Sequence, residues 1–442
     1  MTDQLTMPAA DIPRRQSRIN DFNRLWLGQS ISAFGSQVTA LALPLTAIIY
    51  LDASSIQVGL LATVRELAFV GLMLFFGVVV DRCRRRPLMI VSDLGRAVVI
   101  VAVPIIAWLG TLRMTYLYVA AFLLGALAVV FSLAYRAYLP TLVKADELLT
   151  RNSRLQATES LSDVAGPSLA GLLIQLMRAP FALVADAFSF LISALSIATI
   201  RTPETPLTAP PSADADRPEP DGLGRRVFSE IWSGLTFTFR HPVLRVLAVA
   251  SAIFNVFATM MLTIFVIYAI RIAHLSPGEI GLIFTGFGVG GVIAAASLSR
   301  TMKLGVGRLL TAGYVIGAGA IAVLPFIGGS TGPQTASLAT VFVIAGCAIV
   351  SANIVEMTIR QAVTPHELQG RTAAGFGFLI GALTPLAALV AGLLGDQIGP
   401  RGTLIVAAIG VPMSVPWILL ARIPRIRSLD SLNQTARQER QA

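Results

Sequence analysis

Charge is what this sequence lacks. Asp, Glu, Lys and Arg make up only 13% of its 442 residues, while 55% are hydrophobic and mean hydropathy is +0.74. A soluble domain carries about 25% charged and about 45–50% apolar residues. A chain this long has too little charge to cover its surface in water, so the water-soluble classes are excluded. Disorder over the bulk is excluded as well, because its signature is low hydrophobicity. Cysteine is almost absent. Cys83 lies in a basic stretch and Cys347 in an apolar one, which leaves no disulfide framework and no thiolate metal site. The three histidines, His241, His274 and His366, are too scattered to form a ligand cluster, so no metal or cofactor is expected. No G-x-x-x-x-G-K-[ST] loop occurs, which removes ATP as an energy source. No His/Asp/Ser set near a membrane face suggests catalysis, so the chain is not expected to be an enzyme. Aromatics are few at 7%, whereas glycine is plentiful with 37 residues, as expected where helices pack closely in lipid.

What is present is a series of long apolar runs. A spanning helix needs about 20 apolar residues. Twelve such runs are predicted, at 25–50, 57–80, 87–109, 114–138, 153–176, 180–200, 243–270, 278–299, 308–328, 336–359, 372–395 and 402–421. The first is not a signal peptide. It is longer than an h-region and follows a tail carrying Arg14, Arg15, Arg18 and Arg24. The net charge of +10 sits between the runs rather than on one soluble face, which favours topology over nucleic-acid binding. Only Arg113, Arg178, Arg271 and Arg401 fall in loops placed outside, and Arg65 falls inside a helix. The remaining Lys and Arg are expected in cytoplasmic tails, loops or the adjoining helix ends, so both termini are expected in the cytoplasm.

The expected organisation is a cytoplasmic tail (1–23), a six-helix half (24–200), a cytoplasmic linker (201–242), a second six-helix half (243–421) and a cytoplasmic tail (422–442). The linker begins R-T-P-E-T-P-L-T-A-P-P-S, with little to bury. Val227, Ile231, Leu235 and Phe239 then recur at four-residue spacing. This fits either an amphipathic helix lying on the membrane or a plain helical approach to span 7. The halves repeat. V-K-A-D-E-L-L-T-R (Val143–Arg151, with Glu147 and Arg151) is echoed half a chain later by V-T-P-H-E-L-Q-G-R (Val363–Arg371, with Glu367 and Arg371). A-G-L-L follows in both, at Ala170–Leu173 and Ala391–Leu394. Two parallel repeats with a site between them are a transporter architecture.

Between spans 2 and 3 stands G-V-V-V-D-R-C-R-R-R (Gly77–Arg86). It resembles the signature loop of the major facilitator superfamily, G-x-x-x-D-R-x-G-R-R/K. Gly77, Asp81, Arg82, Arg85 and Arg86 match, and Arg84 replaces a glycine. The resemblance implies a gate, with the Asp at a helix N-terminus of the other half and the arginines on carboxylates and lipid headgroups. It extends over nearly all of residues 22–421. Phe22–Gln37, the E-L-x-x-R links, Leu183–Leu191 and Arg240–Arg245 are similar to the bacterial efflux branch that includes macrolide and enterobactin exporters. Many members carry Asp where Gln37 stands. S-D-V-A-G-P-S-L-A-G (Ser162–Gly171) resembles the antiporter signature G-P-x-x-G-G, with Ala170 in place of one glycine. Pro167 bends the helix, while Gly166 and Gly171 allow close approach.

A buried charge in a membrane helix costs about 2.5–3.5 kcal/mol at the centre on insertion scales, so such residues face a cavity or a partner. Asp163 is predicted about 16 Å from the cytoplasmic start of span 5, with Glu159 one turn away. Glu66 is predicted near the middle of span 2 beside Arg65, and the two point about 100° apart, so each needs another partner. Asp186 is expected nearer the outer end of span 6. Glu356, with Arg360 as a helical partner, is expected to be structural. Glu66, Asp163, Asp186 and Glu159 are the proton-coupling candidates. Arg65, Gln37, Asn255 and Asn353 are the substrate-cavity candidates, and Phe34, Phe254, Phe257, Met260 and Met261 offer an apolar wall or core packing. The expected protein is an all-α membrane transporter of twelve helices. It is expected to act as a monomer in the inner membrane and to export a hydrophobic or amphipathic small molecule in exchange for protons. Its rivals are a proton-coupled metabolite importer, a lipid scramblase and a sensor.

Overall fold

In a computed structural model of the chain, residues 11–143, 147–202 and 223–420 are described. Helix is the only regular structure among them. The expected tails at 1–23 and 422–442 lie outside the described residues up to residue 10 and in full, respectively, and most of the linker does too. The first half comprises α1 (Asp11–Leu45), α2 (Ser55–Arg82), α3 (Arg85–Trp108), α4 (Met114–Leu142), α5 (Leu148–Met177) and α6 (Ala179–Ala198). A short helix, α7 (Leu223–Arg240), follows. The second half comprises α8 (Pro242–Arg271), α9 (Pro277–Thr301), α10 (Val306–Val323), α11 (Thr331–Val363), α12 (Gln369–Gln397) and the pair α13 (Gly399–Gly410) and α14 (Ser414–Leu420).

Among the described residues, eleven helices are long and apolar enough to cross a membrane, with α13 and α14 counted as one. The twelfth crossing unit is α5. Arg151, Arg154, Glu159 and Asp163 lower its hydropathy, yet its 30 residues give about 45 Å of helix, packed on α1, α6 and α9. The last span is not one continuous helix, because a 3₁₀ turn over Val411–Met413, with Pro412 inside it, separates α13 from α14.

The repeat is visible in local chemistry. α2 and α9, the second helices of each half, both open on a capping box. Ser54 pairs with Gln57 and Ser276 with Glu279, each hydroxyl accepting from the third helical N–H. Proline in the first turn of α6, α8 and α9 costs no hydrogen bond there.

The halves meet along two helix pairs, α2 with α12 and α5 with α9. Both contacts need glycine. A Cβ on Gly392 would stand 2.8 Å from the Ser55 carbonyl oxygen, and one on Gly281 would stand 2.3 Å from the Pro167 carbonyl oxygen. These contacts run from the bundle end remote from the N-terminus to about mid-helix. At that end Arg271 Nη2 donates to Asp52 Oδ1 at 2.7 Å and the Ser55 N–H donates to Asp396 Oδ1 at 2.7 Å, tying the halves together. α7 packs on the start of α12. Ile231, Gly234 and Thr238 are buried, while Trp232 and Phe239 are exposed. A Cβ on Gly234 would meet the Arg371 carbonyl oxygen at 1.9 Å, so α7 is docked on the second half, as well as being amphipathic.

Candidate functional site

Beyond the glycine contacts, toward the N-terminal end of the bundle, charged side chains open between the halves. Gln37 on α1 donates from Nε2 to Asp163 Oδ1 on α5 at 2.8 Å, and Asp163 is exposed. Gly166, one turn along α5, makes room for this glutamine, since a Cβ there would lie 2.4 Å from Gln37 Cγ. Glu159 is exposed on the same face and interacts with Arg136 of α4. On α2, Arg65 and Glu66 are 50% and 35% exposed, and Arg65 Nε stands 3.8 Å from Glu66 Oε1. Neighbours on a helix were expected to point apart; here the long arginine stem folds back toward the glutamate. Asp163 thus takes Gln37, not an arginine, as its hydrogen-bond partner. Pro167 and Gly171 turn to the other half: the Pro167 carbonyl lies against Gly281, and Gly171 packs on Pro277 and Gly281. Asn353 is exposed. Asn255 is half-buried and donates to the Ser251 carbonyl at 2.9 Å. Phe254, Met260 and Met261 are buried, so they pack the second half rather than lining an open wall.

The loop between α2 and α3 anchors the N-terminal end. Gly77, Asp81 and Arg82 belong to the last turns of α2, and their side chains lie outside the described residues. Arg86 donates to the Ile197 carbonyl at 3.1 Å and the Ala198 carbonyl at 2.6 Å, while Arg85 donates to the Ala137 carbonyl at 3.1 Å. Both guanidinium groups thus sit on carbonyls near helix C-termini, where the helix dipole favours a cation. Arg24 donates likewise to the Thr199 carbonyl at 2.6 Å. In the link between α4 and α5, Arg151 Nη2 meets Glu147 Oε2 at 3.2 Å and lies over the Phe22 ring. The repeated pair is not equivalent, for Glu367 and Arg371 are both exposed.

Two polar clusters lie inside the halves, away from that space. In the second half, Glu356 of α11 is buried. Its Oε1 accepts from Ser251 at 2.7 Å and its Oε2 from Tyr314 at 2.9 Å. The expected helical partner, Arg360, acts on Glu356 through its charge, without a direct ion pair, and its guanidinium lies over the Phe376 ring, 4.5 Å from the centroid. In the first half, Asp186 of α6 is fully buried, accepting from Thr39 and, at 2.7 Å, from Ser189. It faces inward between α1 and α6, not the space between halves. Beside it are Asp93 and Arg96 of α3, which sequence reasoning missed. Arg96 is not at a helix end, as its kind was expected to be; it is mid-helix, buried, and paired with Asp93. The D-x-x-R spacing inside an apolar run was the signal available.

Two six-helix units joined through glycine-lined helix pairs, with carboxylates opening between them, define a membrane transporter built from two repeats. The chain belongs to the Major Facilitator Superfamily, whose family model matches residues 25–382. It is 26% identical over 406 residues to the multidrug efflux pump Tap of Mycolicibacterium fortuitum, covering 90% of this chain and 94% of that one. It is 25% identical over 186 residues to macrolide efflux protein A of Streptococcus pyogenes, covering 41% of this chain and 45% of that one. The fold is similar to that of the nucleoside transporter NupG, with TM-score 0.70 at 13% identity over 91% of this chain and 99% of the other. It is a transporter of small molecules and a multi-pass membrane protein.

Proposed function

We propose that this protein exports hydrophobic or amphipathic small molecules of drug or antibiotic type, by alternating access with proton antiport. The observation that carries the reading is the group of exposed Glu159 and Asp163 with half-buried Glu66, between otherwise apolar halves. Carboxylates in such a place can load and lose a proton as access alternates, and they suit neutral or cationic ligands. A multiply charged anion would find Arg65 and Arg136, each already beside a glutamate, and burying it without a free cation is costly. Similarity along nearly the whole chain to a multidrug efflux pump supports the same direction. With both termini in the cytoplasm of an inner membrane, as the basic residues suggest, the joined end faces outward and the open space faces the cytoplasm. That is the state in which an exporter loads.

The protein acts in this reading as a monomer, with protons, lipid and a small-molecule substrate as its partners. A proton moving inward gains about 2.3 kcal/mol per 100 mV from the potential alone, enough to concentrate a substrate tens-fold. The test is resistance and efflux in cells expressing the protein, over a panel of macrolide-type cations, neutral lipophiles, sugars and organic anions, with and without a protonophore. Protonophore-sensitive export of lipophilic compounds is expected. Selective handling of sugars or multiply charged anions would overturn the reading.

A further inference from the structure

The first-half cluster contains two carboxylates and one guanidinium. Asp93 and Asp186 are both fully buried and Arg96 is 9% exposed. Arg96 Nη2 pairs with Asp93 Oδ1, and its guanidinium carbon lies between two rings, 4.5 Å from the centroid of Phe131 and 4.2 Å from that of Phe190. The rings leave the guanidinium only its edge for hydrogen bonding. Two polar atoms remain without a hydrogen-bond partner, Asp93 Oδ2 and Arg96 Nε. Every element packed around the cluster supplies neutral groups. α1 gives Thr39, and its Gln29 reaches Ser193. α4 gives Phe131, stacked on Tyr135. α6 gives Ser189 and Ser193 beside Asp186 itself. Among the described residues, the charged groups acting on the two carboxylates are each other and Arg96.

One cation against two buried carboxylates leaves one negative charge in an apolar interior, and an unpaired buried charge neutralises by taking up a proton. We propose that the Asp93–Arg96–Asp186 cluster binds the coupling proton, one proton shared by two carboxylates, with Arg96 as the positioning residue. The step forms one O–H bond on a carboxylate, with the proton taken from water on one side of the membrane and returned to water on the other. α1 links this event to the space between the halves. Thr39 donates to Asp186, Gly35 packs against Asp186 and Ser189, and Gln37, on another face of the same helix, donates to Asp163. Charging or neutralising Asp186 changes its hold on Thr39, and so the seating of the helix that presents Gln37. This inference rests on the proton-antiport reading above and moves the coupling proton from Glu66, Glu159 and Asp163, which meet the ligand, to this buried cluster.

The experiment uses the purified full-length protein in two arms. In the first, infrared difference spectra across a pH step report the carbonyl stretch of a protonated carboxyl. A titrating band at the high frequency of a carboxyl in apolar surroundings, apart from the bands of Glu66, Glu159, Asp163 and the other accessible carboxylates, is expected in the unmodified protein and in Asp163→Asn and Glu356→Gln, and absent from Asp186→Asn and Asp93→Asn, each of which leaves one carboxylate for one guanidinium. That band persisting in both latter variants overturns the proposal. If either variant fails to fold, the unmodified protein still decides, because lack of that high-frequency band overturns it too. In the second arm, proteoliposomes take up tetraphenylphosphonium. Asp186→Asn and Asp93→Asn should lose accumulation driven by a pH gradient at least tenfold, with Asp186→Glu restoring it at a shifted pH. Full gradient-driven accumulation in both Asn variants overturns the proposal. An unmodified protein that never accumulates the probe tells against the antiport reading, while the infrared arm still rules on the cluster.

Discussion

The two halves repeat one plan, yet they bury charge in opposite ways. In the second half a single carboxylate, Glu356, is surrounded by hydroxyls: Ser251 and Tyr314 each donate to one of its oxygens, and they stand 2.9 Å from each other. In the first half two carboxylates share one guanidinium clamped between aromatic faces, with two polar atoms unpartnered. Buried polar networks are costly when partly satisfied and rigid when complete. The second half therefore holds a static anchor among α8, α10 and α11, and the first half holds a cluster whose charge state can change. The latter is tied, through Thr39 and Gln37 of α1, to the space between the halves.

The sharpest way to break this contrast is Arg96→Met. It leaves Asp93 and Asp186 facing each other with no cation, and breaking a buried pair from one side costs about 3–5 kcal/mol. Melting of the purified variant should fall steeply, and yield with it, while adding Asp186→Asn recovers part of the loss. Tyr314→Phe comes next, removing a donor from a buried carboxylate at about 1.5–3 kcal/mol. It should lower the melting temperature and leave the pH dependence of transport unmoved. A changed pH profile would mean that the second half also titrates.

Gly35→Ala probes the link through α1. The added Cβ would stand 2.1 Å from Ser189 Oγ and 2.4 Å from Asp186 Oδ1, and overpacking of this kind costs about 1–3 kcal/mol. Gradient-driven transport should fall further than stability does, and equal losses would reduce Gly35 to ordinary packing. The smallest effect on stability is expected for Asp163→Asn. Its exposed side chain keeps a carbonyl to accept from Gln37, so stability should change by no more than about 0.5 kcal/mol. Drug efflux should fall nonetheless, which separates a residue that meets the open space from those that hold the helices together.

Composition alone fixed the class of this molecule, because hydropathy is a sum along the chain and a span is a local property. The duplicated E-L-x-x-R links, the glycine and proline pattern of α5 and the serine capping boxes were equally local, and each could be read before any contact was known. α5 is the weakest of these sums, since four charges lower the hydropathy of a span still readable at 153–176, and its packing on α1, α6 and α9 keeps it in the bundle. Which charges meet was not local. Asp93 and Arg96 pair one turn apart on α3, but their meeting with Asp186 of α6 depends on how the two helices are rotated about their axes. No hydropathy profile carries that rotation, for a buried and a cavity-facing carboxylate look alike in a single sequence. Packing decided that Asp186 turns into the first half and Asp163 to the open space, that Glu356 takes its direct hydrogen bonds from Ser251 and Tyr314 while Arg360 acts on it only through charge, and that Arg65 folds back on Glu66. Side-chain reach and helix rotation are properties of the assembled bundle, and they set which of its few charges are free to change.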